Sequence, residues 1–106
     1  DENTFFFDDI KVEKDMLRWK NNTDEQTIES LKISQSVLAS IDENEWTLAN
    51  IEAKLLEAAG DKRGDLLWPL RVALTAAQKS PSPFEVSWVL GKKECLARIE
   101  SALLLF

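Results

Sequence analysis

The sequence predicts an all-α fold, a compact bundle of about six short helices, and three observations predict it. Apolar residues recur at intervals of three and four over most of the chain, the period of an amphipathic helix. Alternating, strand-like runs are scarce. Only three glycines and three prolines punctuate 106 residues, and most of them fall between periodic segments. A chain of this length fits a single domain spanning 1–106, and it can bury roughly two thirds of its unfolded surface in one core.

Residues 5–12, Phe5-Phe6-Phe7-Asp8-Asp9-Ile10-Lys11-Val12, read as an apolar entry segment whose aromatics pack on the domain or on a neighbour. A short helix is expected from about Glu13 to Lys20, with Met16, Leu17 and Trp19 on its apolar face. Thr23 is a good N-cap, followed by Asp24 and Glu25 at the positive end of the next helix. That helix runs to about residue 41 and turns Ile28, Leu31, Gln35, Val37, Leu38 and Ile41 inward. Asp42-Glu43-Asn44-Glu45 is a polar break, and Thr47 can cap a third helix with Ile51, Leu55 and Ala58 on one face. Leu48 and Leu56 edge that face, and Gly60 stops the helix.

Residues 61–64 read as a turn. Proline is tolerated best in a first helical turn, so Pro69 predicts a helix over about 66–77, kinked or starting late near Trp68. Residues 78–82 read as a loop. Pro83 can open a helix over 83–90 with Phe84, Val86 or Ser87, and Leu90 inward, and Gly91 stops it. The last helix is expected from Lys92 to about Leu104, with Leu96, Ile99 and Leu103 inward.

Composition narrows the chemistry. With no histidine, the chain has no Ser-His-Asp or Cys-His nucleophile and no imidazole metal ligand. With one cysteine it has no internal disulfide, which suits a reducing, cytoplasmic setting. Cys95, lacking a second cysteine or a histidine, reads as a small buried side chain. Asp8-Asp9 and the Glu43/Glu45 pair lack a glycine-bearing calcium loop and read as solvated carboxylates. No apolar run approaches the roughly 18 residues that would suggest a membrane span, and the start has neither a basic n-region nor a long apolar h-region. The Asn21-Asn22-Thr23 sequon is expected to go unused.

The net charge of −6 disfavours a nucleic-acid partner drawn by bulk attraction. Its distribution matters more: residues 1–64 carry 15 acids and 8 bases, whereas residues 65–106 carry 4 acids and 5 bases. A polyanion would meet the C-terminal segment first.

That segment, residues 64–100, reads GDLLWPLRVALTAAQKSPSPFEVSWVLGKKECLARIE. Trp68-Pro69-Leu70-Arg71, Ala73-Leu74-Thr75, Ser80-Pro81, Phe84-Glu85, Leu90-Gly91-Lys92 and Leu96-Ala97-Arg98-Ile99 follow one another in order. The ordered string closely resembles the C-terminal part of bacterial glutamyl-tRNA synthetases. Upstream, Leu17-Arg18-Trp19-Lys20 and Trp46-Thr47 resemble the same domain at lower specificity. The resemblance implies a class I synthetase anticodon-binding domain, placed after the catalytic domains of its parent. The parent would attach glutamate to tRNA-Glu, with tRNA-Gln a further candidate, using ATP and Mg²⁺. The family's His-hydrophobic-Gly-His and KMSKS-type signatures are absent here, so the chain reads as an inactive, monomeric piece of such an enzyme, without a cofactor of its own.

Anticodon bases are single-stranded, and proteins read them by stacking and by bonding their exposed edges. The resemblance gives that task first to Arg71, whose guanidinium can bond a base edge bidentately or stack on it. The alternative is an arginine paired with Asp65 or Glu85. Ser80, Pro81, Ser82 and Pro83 align with the family's anticodon loop, which the two prolines stiffen; the alternative is a proline-led helix entry. Ala76, Ser82 and Pro83 depart from the family's common Gly, Gly and Leu, which limits positive φ and close backbone approach there. Lys79, Lys92 and Lys93 are candidate phosphate anchors or else solvated lysines. Trp68 and Phe84 read as core, Trp19 and Trp46 as inter-helix packing, and Trp88 lies nearer a polar face. The rival reading is a helical protein-interaction module using Phe5-Phe6-Phe7 and Leu103-Leu104-Leu105-Phe106.

Overall fold

The computed structural model describes residues 12–19, 22–76 and 82–106. The aromatic run at 5–7 and the loop residues Lys79, Ser80 and Pro81 lie outside the described residues. Among the described residues every regular element is helical: α1 (Lys14–Leu17), α2 (Asp24–Ala39), a 3₁₀ turn (Glu43–Glu45), α3 (Leu48–Ala59), α4 (Arg63–Thr75), α5 (Pro83–Leu90) and α6 (Lys92–Leu103). The expected all-α bundle of six short helices is therefore the observed one.

Helix α1 is shorter than its apolar residues suggest. Arg18 takes extended backbone angles, φ −77° and ψ 131°, and its guanidinium bonds Asp15 and, at 2.9 Å, Asp24. That turn carries Trp19 out of the helix and onto Trp68, ring centroids 4.9 Å apart and tilted by 43°. Lys14 reaches the same carboxylate at 3.1 Å. Lys14 foremost, with Arg18, holds the Asp24 carboxyl below the usual carboxylate range.

Thr23 caps α2 through a reciprocal pair: Gln26 N–H donates to Thr23 Oγ1 at 3.1 Å, and Thr23 N–H donates to Gln26 Oε1 at 2.8 Å. The helix stops at Ala39, and Ile41 is buried just beyond it. Its inward face differs from the one expected. Thr27, Ser30, Leu31, Ser34 and Leu38 are buried, whereas Ile28 and Gln35 are half-buried. Small hydroxyl residues let neighbouring helices approach closely, and Thr27 Oγ1 satisfies itself on Thr23 O at 2.9 Å. Gln35 instead bonds Glu100 on α6 at 2.8 Å. In α3, capped by Thr47 at 3.2 Å to Asn50 N–H, the buried series is Ile51, Leu55 and Ala59; Ala58 is exposed. Gly60 and Gly91, which end α3 and α5, have φ +56° and +87°, conformations that suit glycine.

The main correction concerns α4. It starts at Arg63 and ends at Thr75, so Pro69 lies in mid-helix rather than in the first turn. Proline there forfeits one backbone hydrogen bond, and burial of Pro69 with Leu66 and Leu70 offsets the loss. Helix α4 is the hub: it packs against each of the other five helices, most extensively against α2. Its side chains Leu70, Val72, Ala73 and Leu74 join Leu31, Leu38, Ile51, Leu55, Val86 and Ile99 in one core.

Gly64, in the first turn of α4, is there for space. A Cβ at this position would lie 2.8 Å from both Cε2 and Nε1 of Trp19. Alanine would gain about 1 kcal/mol of helix propensity, but overpacking a held indole costs about 1–3 kcal/mol. Gly64→Ala is therefore expected to lower the urea midpoint; a raised midpoint would mean that Trp19 yields readily.

Helix α5 begins as read at Pro83, and the structure adds Ser82 as its N-cap. Pro83, Val86 and Ser87 are buried; Phe84 and Leu90 pack half-buried on the core. In α6 the buried residues are Cys95, Ile99 and Ala102, with Leu96 and Leu103 half-buried beside them. The inward stripe of α6 is thus centred nearer Cys95 and Ala102 than the expected Leu96 and Leu103.

Candidate nucleic-acid interface

The C-terminal end of α4 holds Arg71 one turn before the helix stops. The arginine is half-buried. Its Nε is buried without a hydrogen-bond partner among the described residues, and no ion pair to Arg71 forms among them. The alternative partners are otherwise placed: Asp65 accepts from Asn22 Nδ2 at 3.1 Å, and Glu85 is exposed on α5. A buried N–H without an acceptor costs about 1–3 kcal/mol. An acceptor on a ligand would recover that cost.

The last turn of α4 is tightly bonded. Thr75 Oγ1 donates to Arg71 O at 2.8 Å, and Ala76 N–H donates to Val72 O at 2.7 Å. Ala76 itself is left-handed, φ 55° and ψ 28°. The backbone thus adopts positive φ here despite the absence of glycine, against the sequence expectation. An L-residue in this conformation costs about 1 kcal/mol. Ala76→Gly is accordingly expected to raise stability by about 0.5–1 kcal/mol, read as a higher thermal midpoint; a lower one would show that the alanine methyl packs usefully.

The next described residue is Ser82. Its Oγ accepts from Glu85 N–H at 3.2 Å, so one lone pair of the hydroxyl serves the helix cap, and its hydrogen and second lone pair remain for other partners. Pro83 is buried as the first residue of α5, where it acts as a helix entry. Lys92, half-buried, and Lys93, exposed, occupy the first turn of α6. They stand at the far end of α5 from Ser82, about 12 Å along an eight-residue helix. The candidate residues therefore divide into one group at the α4 end and the α5 start, Arg71 and Ser82, and a second pair at the α5–α6 junction.

The tryptophans sort as their surroundings dictate. Trp46 Nε1 donates to Ser87 O at 3.2 Å and Trp68 Nε1 to Met16 O at 3.0 Å, so both tie helices together. Trp88 is 51% exposed on α5, next to Val89. A depression of about 460 Å³ on the outer face of α2 is lined by Glu25, Ile28, Glu29, Lys32, Ile33 and Ser36; two carboxylates against one ammonium suit a polyanion poorly.

Cys95 is buried, its Sγ 3.4 Å from Ser87 O. Burial pushes the thiol from its ordinary 9.0 up to about 12. The folded state thus holds the neutral thiol. Its contribution is complete below pH 9.0 and is lost as pH climbs from there toward about 12, where the unfolded chain ionises first. Urea unfolding across that window should fall more steeply for the native chain than for Cys95→Ala, and iodoacetamide should label Cys95 only after denaturation.

Sequence reasoning missed one residue near this end. Arg98 belongs to the Leu96-Ala97-Arg98-Ile99 string, and its one sequence signal is a glutamate four residues earlier. In the structure its Nη1 donates to Leu74 O at 2.6 Å and its Nε to Glu94 at 2.8 Å.

Comparison with known proteins gives two findings. The family model described as the anticodon binding domain matches residues 1–103. Among relatives, a glutamate–tRNA ligase of Chloroherpeton thalassium is 33% identical over 102 residues, 93% of this chain and 20% of that protein. One from Clostridium botulinum is 32% identical over 99 residues, 90% of this chain and 20% of that protein. One from Rhodopseudomonas palustris is 48% identical over 61 residues, 55% of this chain and 13% of that protein. The chain spans about a fifth or less of the length of these relatives. No solved structure matches it significantly.

Proposed function

The chain belongs to the anticodon binding domain family, and from that premise we propose that it reads the anticodon loop of a tRNA as the C-terminal domain of a glutamate–tRNA ligase. The half-buried Arg71, with its buried Nε left without an acceptor among the described residues, is the observation that carries the reading. Arginine offers a planar fork of donors that matches a base edge. Ser82, with Lys79, Ser80 and Pro81 just before it in the sequence, would contact the same nucleotides. Lys92 and Lys93, together at the α5–α6 junction, would anchor phosphates farther along the RNA.

In this reading the partner is tRNA-Glu, with tRNA-Gln as a second candidate. Glutamate activation with ATP and Mg²⁺ belongs to catalytic domains outside this chain. The work done here is recognition: the domain holds one end of the tRNA so that the acceptor end reaches the distant active site. The chain by itself would be catalytically inactive and monomeric, in the cytoplasm. Leu104, 78% exposed, and Leu105 favour an additional apolar contact with a neighbouring domain of the parent.

Titration with a tRNA-Glu anticodon stem-loop at low salt, beside a stem-loop of unrelated anticodon, tests the reading. Preferential binding of the tRNA-Glu loop is expected. Equal affinity for both would overturn it and leave the protein-interaction reading ahead.

A further inference from the structure

We propose that Arg98 is the positioning residue for the anticodon-reading end of α4, an inference that rests on the reading given under Proposed function. Arg98 projects from α6, and its side chain is only 9% exposed. Nη1 donates to Leu74 O at 2.6 Å, and Nε donates to Glu94 Oε2 at 2.8 Å. Leu74 O is among the last four carbonyls of α4, which a helix leaves without intrahelical donors. A cation at this end also meets the negative pole of the helix dipole.

The charge of Arg98 is engaged inside the protein, so a phosphate anchor it is not. What it fixes is the placement of the last turn of α4 against α6. Arg71 sits three residues before Leu74, on that same turn, and its own carbonyl is bonded by Thr75 Oγ1. A further restraint on the turn is the Ala76 N–H bond to Val72 O, made by a residue in an unfavourable left-handed conformation. Base discrimination requires donors placed to within about 0.5 Å. Releasing Leu74 O would let the turn shift, and Arg71 with it, without removing any group that faces the RNA.

Such a loss should fall on discrimination and spare the sequence-independent part of binding. In the 106-residue chain, Arg98→Met and Arg98→Lys would be titrated with a tRNA-Glu anticodon stem-loop and with the same loop carrying a different first anticodon base. Arg98→Met is expected to weaken the cognate loop about tenfold, within the range of one lost base contact. It should change the altered loop by less than about twofold, with the salt dependence unmoved. Arg98→Lys keeps the charge and one donor, and should recover part of the preference. Equal weakening toward both loops would mark Arg98 as a stability residue alone, and unchanged preference in both variants would remove it from recognition; either result overturns the inference. If Arg98→Met does not fold, Arg98→Lys carries the same comparison with the same outcomes. A native chain that binds both loops alike fails before any substitution is made, and that result overturns the anticodon reading itself.

Discussion

Leu70→Ala is expected to remove about 2–5 kcal/mol of stability, the usual cost of deleting a fully buried leucine and leaving part of the cavity open. Leu70 is 0% exposed and lies at the middle of α4, the helix in contact with all five others. Relaxation around the cavity is therefore resisted from several sides, which places the value in the upper half of that range. A domain of this size has a total of about 5–15 kcal/mol, so the variant should sit near the edge of folding. Its thermal midpoint should fall by about 10–25 °C. Leu70→Met, nearly equal in volume, should lose less than about 1.5 kcal/mol. Urea unfolding with an unchanged slope is the measurement; a loss below about 1 kcal/mol in Leu70→Ala would mean that α4 is not the hub its packing indicates.

What the sequence disclosed, and what it concealed, follows from the range of each interaction. Caps and stops are local, and Thr23, Thr47, Gly60, Pro83 and Gly91 were all legible from the residues beside them. The start of α4 was not, because the compensation for a mid-helix Pro69 is tertiary: burial against distant helices outweighs one lost backbone bond. The inward face of α2 was hidden for the same reason. Periodicity alone favoured Ile28 over Thr27, Ser30 and Ser34, and only close packing selects the small residues. Ala76 shows the limit in another way. Its lack of glycine argued against positive φ, yet the helix stop demanded it and the chain accepted the strain. At the candidate site, Arg71 was identifiable from a family string, but the burial of its Nε depends on the assembled fold. The role of Arg98 was invisible because its partner, Leu74 O, is a backbone atom 24 residues away.

Arg71→Met should separate stability from recognition. Folding leaves the Arg71 Nε buried without an acceptor among the described residues, a cost of about 1–3 kcal/mol that methionine, similar in length and apolar, does not incur. The variant is expected to unfold at the same denaturant concentration as the native chain or a higher one. Its affinity for a tRNA-Glu anticodon stem-loop should nevertheless fall about 10- to 100-fold, because a bidentate base contact carries about 1–3 kcal/mol of discrimination. The chain has little bulk attraction to compensate. Its net charge is −6, and of the cations after residue 65, Arg98 is held by Glu94 and a backbone carbonyl. Arg71→Lys tests whether charge or shape is read. It keeps the cation and should preserve the salt dependence, yet it lacks the planar fork and should discriminate nearly as poorly as methionine. A residue kept at a cost in stability and lost at a cost in selectivity is the pattern expected of a recognition arginine. Reduced stability with unaltered RNA selectivity in Arg71→Met would instead assign the side chain to packing.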